Sequence, residues 1–144
     1  MGFFSFGSKP TETFTEQEAF LAIALASAAA NGDIDDSDKK AILATVMQAS
    51  IFDDLSEDDL NETFEKLTVK LEKDGVGGLV AIAKSSMPDD LCESAFVCAV
   101  DISLADGEID EDEQALLEEL QQVLGISDDL GAKVLEVMMI KNRA

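Results

Sequence analysis

Two acidic turns carry the side chains best suited to chemistry. The first reads Ala30-Asn31-Gly32-Asp33-Ile34-Asp35-Asp36-Ser37-Asp38 and the second Ala105-Asp106-Gly107-Glu108-Ile109-Asp110-Glu111-Asp112-Glu113. Carboxylate oxygens select hard cations, so the candidate cofactor is a divalent ion, Ca²⁺, Mg²⁺ or Mn²⁺. Set against a calcium-binding EF-hand loop, the second turn matches in its latter half. Asp106, Gly107 and Asp110 fall in register, and Glu113 takes the terminal bidentate place. The two earlier ligand places fall on Ile102 and Leu104, which have no side-chain oxygen. In the first turn they fall on Ser27 and Ala29, and the terminal acid is the shorter Asp38. Neither turn is therefore an EF-hand. A weak site would use Asp106, Asp110, Glu113 and water, completed by Asp33, Asp35 and Asp38 if the turns converge.

The same acids also have a structural reading. Asp35 and Asp110 stand where a helix N-cap belongs, with an acid three residues on, Asp38 or Glu113, in the place that closes a capping box. The other acids suit the positive end of a helix dipole. Yet seven acids crowd residues 101–113, and a bound cation would relieve their repulsion. Asp101 is the last candidate ligand. It interrupts the apolar stretch Phe96–Leu104, where its counterpart in the first copy is Ala26. It lies either on an exposed stripe or in the interior, where it needs a partner such as a metal or a shared proton.

Other chemistries lack their parts. The chain has no His, which removes the commonest general base and soft-metal ligand. Gly75-Val76-Gly77-Gly78 lacks the following Lys and the strand of a phosphate loop. Cys92 and Cys98 are six residues apart on an expected helix among Phe96, Val97 and Ala99, and read as unpaired core thiols. Met138 and Met139 read as core. Paired carboxylates could in principle hydrolyse a glycoside, but the chain has no Trp or Tyr to stack on a sugar.

The elements that position the turns follow from apolar spacing and caps. Thr15 with Glu18 opens an Ala-rich helix running to about residue 31, whose small residues permit close packing. A second helix spans about 36–49 with Ile42, Leu43, Val46 and Met47 inward. Ser56 with Asp59 starts a third, to about Lys73, bearing Leu60, Phe64, Leu67 and Leu71 at helical spacing and an expected Glu62–Lys66 pair. Asp74–Gly78 breaks it, and a short helix covers Leu79–Ser85. Pro88 opens the next, to about Ala105. A helix over about 111–124 stops at Gly125, and Ser127 caps a last one to about Lys141. Nothing alternates like a strand. The prediction is an all-α, single-domain bundle of about seven helices at residues 15–142, after a flexible tail at 1–14. Gly32 and Gly107 hold equivalent places 75 residues apart, with matching flanks Phe20–Leu25 and Ala95–Val100, so the bundle contains an internal helix–turn–helix pseudo-repeat.

The paired Gly-x-Ile-Asp turns and the ending Val134-Leu135-Glu136-Val137-Met138-Met139-Ile140-Lys141-Asn142 resemble the tellurite-resistance TerB family. The resemblance covers roughly residues 15–142. It implies an all-helical, non-enzymatic, stress-associated protein of the cytoplasm, linked to tellurite or metal stress and to an integral membrane partner.

Bulk properties agree with a folded acidic module. The chain has 144 residues, 47% of them hydrophobic, and a formal net charge of −21, enough for one core. Residues 85–132 carry fourteen acids and no Lys or Arg. Such a surface repels nucleic acid and bare anionic membranes and attracts cations and basic proteins. The start, with Phe3, Phe4 and Phe6, has neither the apolar length of a membrane span nor a signal cleavage site. It reads as a tail that packs on the domain or is disordered, or else as a weak anchor. The leading expectation is a non-catalytic binding module for a protein partner and divalent cations. An ion sensor or buffer is the alternative, and a carboxylate hydrolase ranks third.

Overall fold

A computed structural model describes residues 12–29, 34–105 and 109–143. Its elements are α1 (Glu16–Ala28), α2 (Asp36–Val46), a 3₁₀ turn (Ser50–Phe52), α3 (Glu57–Ser85), α4 (Asp89–Ser103), α5 (Glu111–Val123) and α6 (Asp128–Arg143). The described residues are all-helical, as the sequence predicts.

The bundle is built around α1. Every residue from Ala19 to Ser27 is buried, so this helix has no solvent face. Alanines at 19, 22, 24 and 26 let neighbours approach closely, while Leu21, Ile23 and Leu25 fill the core in several directions. α3 and α4 pack most extensively against it, and α2 and α5 cover its remaining sides. Thr15 starts it with a full capping box: the Thr15 hydroxyl accepts from Glu18 N–H, and Glu18 accepts from Thr15 N–H at 2.8 Å. Burial by itself would push the Glu18 carboxyl up. The Lys66 ammonium at 2.5 Å and the Thr15 N–H and hydroxyl outweigh it and hold the group below its usual range. Lys66 thus reaches across to α1 instead of pairing with Glu62 on its own helix. The chain just before Thr15 also lies against α3: Glu12 pairs with Lys70, and Phe14 N–H donates to Ser86 Oγ at 2.9 Å.

Two expectations need correction. α2 ends at Val46, and Met47 points outward at 49% exposure, because the chain turns there to enter the 3₁₀ segment. Phe52 from that segment packs edge-on against Phe20 with centroids 5.7 Å apart, and Gln17 Nε2 holds its Ile51 carbonyl at 2.6 Å. The expected break after residue 73 is a kink within α3 at Gly75, so the two predicted helices form one bent element and the described residues hold six α-helices. Gly75 has φ 77° and ψ 173°, a conformation open essentially only to glycine. Gly125 (φ 74°) ends α5 in a Schellman motif, with Ile126 N–H on the Gln121 carbonyl and Gly125 N–H on that of Gln122.

Candidate functional site at the paired helix starts

The duplication is visible in the helix boundaries. α1 ends at Ala28 and α4 at Ser103; α2 begins at Asp36 and α5 at Glu111. Both boundaries keep the 75-residue offset. Asp35 caps α2, its Oδ1 accepting from Asp38 N–H at 2.8 Å while Asp38 Oδ2 accepts from Asp35 N–H at 3.1 Å. Asp110 and Glu113 repeat the arrangement on α5, at 2.8 and 3.2 Å. Both capping boxes are complete, including the one closed by the shorter Asp38.

A cavity of about 300 Å³ lies among the end of α1, the start of α2, the end of α4 and the start of α5, lined among others by Ser27, Asp38, Ile42, Ile102, Ser103 and Glu113. Asp38 and Glu113 are equivalent residues of the two copies, so the pseudo-repeat delivers one carboxylate from each half to a shared space. Ser27 Oγ, on the wall, donates to the Ala24 carbonyl at 2.7 Å. Ser103, at 4% exposure, has a buried hydroxyl with no hydrogen-bond partner among the described residues. A buried hydroxyl left unpaired costs about 1–3 kcal/mol. The sequence reading did not single it out; its only signal is a polar residue closing the apolar run of α4, opposite Ala28 of the first copy.

The other candidates are placed as follows. Asp33 and Asp106 lie outside the described residues, as do Phe3, Phe4 and Phe6. Asp35 and Asp110 serve as helix caps and do not line the cavity. Asp101 is elsewhere and has protein partners: Lys141 Nζ approaches its oxygens at 3.1 and 3.2 Å, and Asn142 Nδ2 donates to Oδ1 at 2.9 Å. It ties the end of α6 to α4. Among the described residues no three acids or cysteines converge closely enough to hold an ion unaided. The side-chain oxygens on the residues lining the cavity are therefore two carboxylates and serine hydroxyls. That set suits Mg²⁺, which keeps several waters and is commonly held through one or two carboxylates, and at weaker affinity Ca²⁺.

Cys92 and Cys98 are unpaired and buried, as expected. Burial pushes both thiols up, Cys98 to about 12 with a further contribution from the Asp101 charge. Protonated thiols of this kind are neither nucleophiles nor metal ligands. Among the described residues no helix is long and apolar enough to cross a membrane.

Neither a curated protein nor a solved structure matches the chain. The family model described as tellurite resistance protein TerB matches residues 17–133, which takes in both turns, both capping boxes and the cavity between them. With most of its length so matched, the chain belongs to the TerB family.

Proposed function

We propose that this chain is a non-catalytic module of a tellurite- or metal-stress response that acts by holding a hydrated divalent cation and a protein partner. The cation reading is supported above all by the convergence of Asp38 and Glu113, one from each copy, on a cavity whose lining also includes Ser103. Two carboxylates facing one space repel each other. A hard cation removes that repulsion. Coordination through so few protein oxygens favours a dissociation constant of about 10⁻⁴–10⁻³ M, the weak end of the calcium range.

The test exploits the capping boxes. Asn and Gln can still fill the capping places of Asp38 and Glu113, so Asp38→Asn/Glu113→Gln should fold while losing both charges. At fixed high ionic strength, Mg²⁺ or Ca²⁺ should raise the melting temperature of the parent, by an amount equivalent to about 2.7 kcal/mol at one hundred times the dissociation constant. The double variant should lose most of that rise. Ser103→Ala should melt higher than the parent in chelator, because it removes an unpaired buried hydroxyl, and respond less to the cation. Equal shifts in parent and double variant would remove the cavity from consideration as a cation site.

A further inference from the structure

A second surface has a different character. α5 and α6 are clamped together at the turn that joins them. Gln121 Nε2 donates to Asp128 Oδ1 at 3.0 Å, and the Gln121 amide sits where a Cβ on Gly131 would come within 2.3 Å of it. Away from that turn both helices pack on α4 but share little contact with each other. The space between them is an apolar cavity of about 460 Å³, with Phe96, Val100 and Leu104 of α4 as its floor and Leu117, Leu135 and Met139 on its walls. A neighbouring cavity shares Leu104, Leu135 and Met139 and continues past Glu136 and Ile140 toward Arg143. Val137, Met139 and Ile140 are all more than half exposed. Met139, expected from sequence in the core, is thus a wall of an open groove.

The rim defines the occupant's charge. Gln114, Glu118 and Gln121 line one edge and Glu136 the other end with Arg143 beyond it, so the rim holds two acids and one base. α4 and α5 contain no Lys or Arg, and Lys141 of α6 is turned to Asp101. The wall residues 114–121 and 131–139 span about two helical turns, roughly 10–12 Å at 1.5 Å per residue. That length accommodates apolar anchors at i, i+3 or i+4, and i+7 of an inserted helix.

We propose that the α4–α5–α6 groove docks an amphipathic helical segment of a partner protein, with its apolar stripe on Leu117, Leu135 and Met139 and Lys or Arg residues against the acidic rim. This rests on the partner-binding half of the proposed function and not on the cation half.

The probe is a fluorescent Lys/Leu peptide of about fourteen residues with its leucines on one helical face, titrated in chelator at about 150 mM salt. The comparison is a scrambled peptide of the same composition, whose leucines are dispersed. The full chain should bind the amphipathic peptide at least about tenfold more tightly, and Leu135→Ser/Met139→Ser should abolish the difference while leaving the scrambled peptide's affinity unchanged. Equal affinity for both peptides would reduce the interaction to charge attraction and overturn the groove, leaving partner binding elsewhere on the acidic surface intact. Binding of neither would overturn the groove and the basic chemistry of the partner together. Two other occupants would also overturn it. If deleting residues 1–11 raised the peptide's affinity about tenfold, the chain's own Phe-rich start would be the ligand. If sedimentation showed a dimer that Met139→Ser dissociates, it would be a second copy.

Discussion

An Asp at a helix N-cap commits one carboxylate oxygen to the backbone and keeps the other for a further partner. In this chain the N-cap acids are Asp35 and Asp110, each closing a capping box with the acid three residues on. The Asp110 carboxylate accepts the Glu113 N–H at 2.8 Å, so Asp110→Ala leaves helix-start N–H groups without a partner. It should destabilise the fold by about 0.5–2 kcal/mol in chelator, read from urea unfolding; an unchanged midpoint would contradict the capping role. The cysteines make a second residue-scale case. Since burial holds the folded Cys98 thiol at about 12 against an ordinary 9.0, its neutral form is favoured by the fold. The associated stability is complete below pH 9 and is lost as pH rises from there toward 12. Iodoacetamide at pH 8 should therefore leave Cys98 unlabelled in the native protein and alkylate it quickly in denaturant; rapid native labelling would show that the α4 core opens. The caps and the thiols were legible in sequence because each depends on residues within one helical turn. Ser103 was not, because its lack of a partner arises only where α4 meets α1 and α2.

At the scale of elements, Gly75 is the informative position. Gly75-Val76-Gly77-Gly78 announces an interruption, but spacing alone does not say whether the chain leaves the helix or bends within it. The answer comes from packing: Leu67 on one side of the kink and Leu79, Val80 and Ala83 on the other all enter the same core, so the chain bends at a single residue and resumes its helix at once. Gly75→Ala meets no neighbouring atom within 4 Å, which leaves backbone strain as the deciding effect. The variant should lose about 1–3 kcal/mol. Were the helix straight through this residue, the same substitution would instead stabilise by about 0.4–1 kcal/mol, so the sign of the change distinguishes the two. The Glu62–Lys66 expectation fails for a related reason. Helical spacing permits the pair, yet Glu18 on α1 lies closer to the Lys66 ammonium and is partly shielded from water, where a charge pair is stronger. The pseudo-repeat, in contrast, was legible at this scale, because turn, flanks and capping acids recur together at one offset.

At the scale of the whole molecule, charge and topology pull in different directions. A formal charge of −21 works against compaction, and Lys39, Lys66, Lys70, Lys133 and Lys141 are already engaged in ion pairs that offset only part of it. The buried stretch Ala19–Ser27 of α1 holds the bundle together regardless, since it packs against α2, α3, α4 and α5. Composition revealed the acidity but not its distribution. Folding places one acid from each copy at a shared cavity and leaves a separate acid-rimmed apolar groove between α5 and α6. Most of the remaining acids are exposed, and their repulsion acts through solvent, where salt screens it. Monovalent salt should therefore stabilise this protein, steeply at first and then little once the Debye length falls below about 8–10 Å, near 0.1–0.15 M. Glu93 and Glu136 are exposed acids without a basic partner among the described residues. Removing their charges in Glu93→Gln/Glu136→Gln should raise the melting temperature at about 10 mM KCl, by an amount equivalent to a few tenths of a kcal/mol for surface charges in high dielectric. At about 0.5 M KCl the two proteins should melt together. A gain that persisted at high salt would mean that these substitutions act through helix propensity or local contacts. The acidic surface would then be a smaller burden on the fold than its net charge indicates.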